Sequence, residues 1–227
     1  MTLDLWGIVW LSLRISLVAV LVTLPIAFGL ALLLARSRFP GRFLLDGVVH
    51  LPLVLPPVVT GWLLLLAFAP HGPLGAPLVA IGVSLLFRWT GAAVAAGVMA
   101  LPLMVRAMRL AIEAVDPRLE GAARTLGAAR ARVFRTITLP LAMPGVWAGM
   151  VLGFARSLGE FGATITFVSN IPGETQTLPI AIYSALQIPG SDPLVAKLAG
   201  ISVLISLGAL VVSEWLARRG GANVHVF

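Results

Sequence analysis

EGAARTLGAARARVFRTITLPLAMPG, Glu120 to Gly145, is the stretch on which the reading of this chain turns. It is basic, rich in small residues and lies between two apolar runs. Just ahead of it, Asp116-Pro117 marks a helix start, because aspartate caps free N–H groups and proline suits the first helical position. Glu120 falls in the opening turn, where a carboxylate complements the helix dipole. Leu119, Ala122, Ala123, Leu126 and Val133 recur near the helical period. Gly127 permits a bend or a helix end midway. Arg124, Arg130, Arg132 and Arg135 offer charge to an acidic partner or to lipid head groups. Pro140 and Pro144 are expected to break the chain direction before the next apolar run. A helix that merely rests on head groups is the competing reading of the same residues.

The rest of the chain explains why such a loop stands out. Of 227 residues, 59% are apolar and 11% charged, with a mean hydropathy of +1.02. A soluble domain carries about a quarter charged residues. This chain has too few to cover a globular surface, so lipid must be its main solvent. The absence of cysteine excludes disulfide and thiol chemistry. The net charge is +7, and 15 of the 16 cations are arginine. They cluster at the ends of apolar runs, which argues against nucleic acid as a partner. The N-terminus lacks a basic region and a small-residue cleavage site, so the first apolar run is expected to be retained.

Uncharged runs give the spans. The first covers Ile15–Ala35 and ends at Arg36, Arg38 and Arg42, long enough for the ~20 residues a crossing needs. One helix is expected over Val48–Ala69, closed by Pro70-His71-Gly72-Pro73. A short interfacial segment then occupies 76–87, and the next span covers about Trp89–Arg109. A fourth follows at Pro144–Val168, and a last at Leu194–Leu216. This is an all-α, polytopic bundle of about five spans, or six if 177–188 or 76–87 dips into the membrane. Residues 1–227 read as one transmembrane domain, with the connecting loop at about 113–138. Twelve of the 16 cations lie in 36–42, 106–135 and 218–219. The positive-inside rule then sets the N-terminus outside and the C-terminus in the cytoplasm.

The loop resembles the EAA loop of ABC-importer permeases. That pattern runs Glu-Ala-Ala, a glycine, an isoleucine ten residues on, then x-Leu-Pro. Ala122, Ala123, Gly127, Ile137, Leu139 and Pro140 fit the register. It departs at one position: Gly121 stands where the family commonly has its glutamate, and Glu120 lies one residue earlier. HLPLVLPPVVTGWLLL (His50–Leu65) and FARSLGEFGATITFVSNIPGETQTLPIAIY (Phe154–Tyr183) are similar to the oxyanion-importer permeases, and within them most similar to the molybdate/tungstate branch. The resemblance implies a type I importer permease of the inner membrane, moving a tetrahedral oxyanion. Molybdate or tungstate is the expected cargo, with sulfate or thiosulfate the alternative. It further implies a homodimer, two cytoplasmic ABC ATPase subunits docked on the loop, and an extracytoplasmic substrate-binding protein. A nucleotide-independent anion transporter is the rival of another class; it would require repeats and a coupling-ion carboxylate at mid-membrane.

Inside the apolar runs, Arg156 and Glu160 stand four residues apart and are expected to pair on one helix face. Ionisable groups in lipid are costly and usually line a bundle interior or a water-filled path. Arg156, Glu160 and Thr164 are therefore candidates for a translocation path or gate, with a purely structural pair as the even alternative. Gly149-x-x-x-Gly153 favours close helix packing, more readily within the chain than between copies. No GxxxxGK[ST] loop is present, so the chain is not expected to hydrolyse ATP itself. Nor is there a nucleophile–base pair, a metal-ligand cluster or a cofactor motif, so catalytic, metal and cofactor sites are all expected to be absent.

Overall fold

Asp4 begins the first helix. Its Oδ1 accepts the Gly7 amide at 3.0 Å, and α1 then runs over Leu5–Arg36. A computed structural model describes the backbone of residues 4–37 and 39–221, and the side chains of these up to 209 and at 211. Arg38, assigned above to the first basic loop, lies outside the described residues, as do the side chains of Arg218 and Arg219. At 32 residues, α1 is longer than the span expected from Ile15. Arg14 does not end it. The Arg14 guanidinium lies 3.8 Å from the centre of the Trp89 ring, which lets a charge sit along the helix side.

The core is built on α5, Trp89–Glu113. Its small residues from Gly91 to Ala100 are almost all buried, and Met104, Val105 and Met108 continue the same buried stripe. α1 packs on one side of it through Ala19, Val20, Ala27 and Leu34. On the other side lies α8, Leu139–Leu158. Gly149 and Gly153 of α8 lie against Met104 and Met108, where a Cβ would come within 2.6–3.0 Å. That glycine pair therefore serves packing within the chain, as expected. Van der Waals contact must hold this bundle, since lipid gives no hydrophobic drive between helices.

Three expectations need correction. The segment expected as one helix over Val48–Ala69 is two: α2, Arg42–Val54, and α3, Pro57–Phe68, bent by 116°. Leu55 and Pro56 are extended, with ψ of 142° and 134°, because a residue before proline is pushed out of the helical region. The fourth run, Pro144–Val168, is also broken. α8 stops at Leu158, and α9, Gly162–Val168, begins after Gly159, Glu160 and Phe161. Pro140 and Pro144, conversely, do not turn the chain. They lie within helix that runs unbroken over Arg130–Leu158. A π-helical turn at Phe134–Thr138, closed by the Leu139 amide on the Phe134 carbonyl, shifts the hydrogen-bond register just where Pro140 has no N–H to give.

The remaining elements are α4, Gly75–Ala80; α6, Pro117–Thr125; α7, Arg130–Val133; α10, Leu178–Leu186; and α11, Asp192–Gly221. Among the described residues, four helices are long and apolar enough to cross a membrane, and the bent α2–α3 pair makes up to five. That agrees with about five spans. Neither α4 nor α10, at 6 and 9 residues, has the length to cross by itself.

Candidate functional site

The α5–α8 connection is a folded joint. Asp116 caps α6 by accepting the Arg118 amide at 2.8 Å, and Pro117 opens the helix. α6 ends where Gly127 turns left-handed at φ +85°, and the Ala128 amide returns to the Ala123 carbonyl at 3.0 Å. Such a closure favours glycine, since a side chain strains this backbone region. α7 follows and leads through the π turn into α8.

Glu120 is the hinge pin of the joint. Its side chain is 11% exposed and faces the membrane bundle, away from the tip. Arg36 Nη2 donates to Glu120 Oε1 at 2.7 Å and Nη1 to Oε2 at 3.1 Å; Arg36 Nη2 also reaches the Ile112 carbonyl at 3.3 Å. Thr138 Oγ1 donates to Oε1 at 2.6 Å. One carboxylate thus ties α6 to the end of α1 and to the turn entering α8. Charge-assisted forks of this kind fix geometry as well as energy. Gly121 and Ala122 are exposed, with open space around Gly121. Ala123, Ile137 and Leu139 are half-buried, and Pro140 is exposed. Leu126 projects from the tip at 87% exposure, with Arg124, Arg130 and Arg132 exposed nearby in the chain.

A second charged cluster had not been expected from the sequence. Arg109 donates through Nη1 to both Asp46 oxygens at 3.1 Å, and through Nε to Glu113 at 2.8 Å. Arg42 stands 3.8 Å from Glu113, and His50 Nδ1 lies 3.2 Å from Asp46. These contacts clamp α2 to the end of α5. Arg109–Glu113 and Asp46–His50 have the i,i+4 spacing that sequence could reveal; Arg109 and Asp46 are 63 residues apart.

Arg156 and Glu160 do meet, at 2.5 Å, but not on one helix. Glu160 is 2% exposed and lies in the break. Its Oε1 accepts the Ala163 amide at 2.8 Å, so it also caps α9. Thr164, at 2% exposure, is packed inside the chain. Thr166 bonds back to the Gly162 carbonyl. α3 and α9 touch backbone to backbone: a Cβ on Gly61 would fall 2.5 Å from the Ala163 carbonyl oxygen, and one on Gly162 2.8 Å from Pro57. Next to the break, a cavity of about 380 Å³ lies between α8, α10 and α11, with Gly159, Phe161, Tyr183, Ser202 and Ser206 among its walls. The loop residues and the Arg156–Glu160 pair form two sites. Glu120 binds the C-terminal end of α1, whereas Ser157 reaches Ala96 in the N-terminal half of α5.

Known proteins match this arrangement along most of its length. Residues 11–221 match the family model described as "Binding-protein-dependent transport system inner membrane component". The molybdenum transport system permease protein ModB of Escherichia coli (strain K12) is 58% identical over 94% of this chain and 93% of its own. The sulfate transport system permease protein CysT of Salmonella typhimurium is 38% identical, over 87% of this chain and 72% of its own. Among solved structures, the inward-facing MetNI methionine ABC transporter superposes with a TM-score of 0.75 at 17% identity, covering 95% of both chains.

Proposed function

From the premise that this chain belongs to the family of binding-protein-dependent transport system inner membrane components, we propose that it is the membrane subunit of an ATP-driven oxyanion importer with molybdate or tungstate as cargo. The margin of similarity toward the molybdenum relative over the sulfate relative carries this reading. The whole chain acts as one permease domain, with its N-terminus outside and the α5–α8 loop and C-terminus in the cytoplasm. Two copies pair to enclose the path. Two ATPase subunits bind the two loops and carry out hydrolysis, and a binding protein delivers the anion outside.

The joint supports the coupling step. Leu126 enters an apolar recess of the ATPase, and Arg132 and Arg135, exposed in the same loop, meet its acidic rim. Glu120, held by Arg36 and Thr138, transmits loop movement to α1 and α8 together. ATP drives the change only if it binds one conformation better than the other. In the membrane, Arg156 is balanced by Glu160, so the path offers no strong net charge to a divalent anion. The hydroxyls near it supply weak, replaceable contacts, as conduction requires.

The test is reconstitution in vesicles with the cognate ATPase and binding protein. Molybdate uptake that needs ATP and outcompetes sulfate is the expected result. Preference for sulfate would move the assignment to the sulfate branch. Uptake by the permease without ATPase subunits would replace the reading with a nucleotide-independent transporter.

A further inference from the structure

Behind the tip of the loop, between α6, α7, the π turn and the end of α1, lies a cavity of about 380 Å³. Arg36, Arg124, Arg130 and Thr138 provide its polar wall, and Leu32 and Phe134 its apolar side. Glu120 is the one acid lining it, and its oxygens are already engaged by Arg36 and Thr138. Among the described residues, Arg124 and Arg130 have no carboxylate within 4.0 Å. Three cations against one anion leave the cavity with a formal charge of +2. Guanidinium groups with spare donors, set in a concave wall, are the chemistry that holds a phosphate. Leu32 lies near the C-terminal end of α1, a helix long and apolar enough to cross a membrane, so the cavity adjoins the end of a candidate span.

We propose that this cavity binds the phosphate-bearing head group of an anionic lipid, with Leu32 and Phe134 against the start of its acyl chains. Arg124 and Arg130 grip the phosphate, and Glu120 keeps Arg36 in place beside them. The lipid then braces the root of the loop without occupying its tip, where Leu126 stands.

The full chain, purified without ATPase subunits, provides the test, so its outcome is independent of coupling and of cargo. Retention of phosphatidylglycerol and of phosphatidylcholine is compared by native mass spectrometry, with inorganic phosphate as a separate arm. Phosphatidylglycerol should be retained about tenfold better, and the double variant Arg124→Gln/Arg130→Gln should lose most of that preference. Arg124→Lys/Arg130→Lys should keep a large part of it. In the unaltered chain, retention should fall as salt rises from about 0.05 to 0.5 M. Equal retention of the two lipids, a preference unchanged in the glutamine variant, or salt-independence would overturn the proposal. Protection by inorganic phosphate alone, with no further gain from phosphatidylglycerol, would overturn the lipid assignment.

Discussion

Glu120 and Arg36 stand 84 residues apart in sequence, yet their carboxylate and guanidinium meet fork to fork at 2.7 and 3.1 Å. The acid that sits one place early in the loop pattern is thus the one that fastens the loop to the bundle. Gly121, at the usual acid position, is exposed and touches nothing near its Cα face. Replacing Glu120 by alanine should lower thermal stability by about 1–3 kcal/mol, less than the roughly 3–5 of a fully buried pair, because Arg36 is 30% exposed. ATPase coupling should fall more steeply than stability. A double-mutant cycle of Glu120→Ala with Arg36→Ala should return a coupling energy of about 1 kcal/mol or more; additive losses would show that the fork is idle.

Gly127 offers a cleaner test of loop shape, because a Cβ there meets open space and only the φ of +85° opposes it. Gly127→Val should cost about 1–2 kcal/mol locally and sharply reduce ATP-dependent uptake in a folded subunit. Gly127→Asn, which tolerates the left-handed region, should retain most of the uptake. Equal loss in both variants would point to side-chain size at the docking surface as the cause.

The clamp between α2 and α5 should respond to charge order. Arg109→Glu should repel both Asp46 and Glu113 and free α2, read as faster proteolysis within residues 42–56. Asp46→Arg in the same chain should restore part of the protection, because the reversed pair can form again. No rescue would indicate that α2 is held by packing around Val49 instead.

At the α3–α9 crossing, the contact is too close for any side chain. Gly61→Ala should destabilise by about 1–3 kcal/mol, since its Cβ would fall 2.5 Å from the Ala163 carbonyl oxygen. Gly29→Ala on α1, with nothing within 4 Å, should leave the melting temperature unchanged or slightly raised. A neutral Gly61→Ala would mean that α3 and α9 separate readily.

Arg156 and Glu160 can be separated by charge. Glu160→Gln keeps an acceptor for the Ala163 amide but leaves Arg156 unbalanced. Uptake measured with Glu160→Gln should fall or saturate at lower anion concentration, and adding Arg156→Gln should bring it back toward the original. If the double variant is as impaired as the single, balance is not what the path requires.

Much of this was legible in advance. Apolar runs of sufficient length gave α1, α5 and α11, because in lipid the backbone has little choice but helix. Asp116, Pro117 and Gly127 announced the loop helix and its end through local chemistry alone. The helix breaks are not legible in the same way. Run length predicts one helix over Val48–Ala69, whereas Pro56 and Pro57 divide it into two. Pro140 and Pro144 carry the local signature of a change in chain direction, whereas a π turn takes the helix past them. The effect of a proline depends on whether neighbours meet the freed carbonyl, and that is not a local property.

The sequence by itself determined that this is a helical membrane subunit with a structured basic loop, since composition, run length and capping residues act through solvent and neighbours along the chain. Only the tertiary structure decided which charges meet. Arg36 with Glu120, and Arg109 with Asp46, join residues 84 and 63 positions apart. No spacing rule reaches that far; helix packing brings the partners together, and charge-assisted hydrogen bonds then fix each pairing.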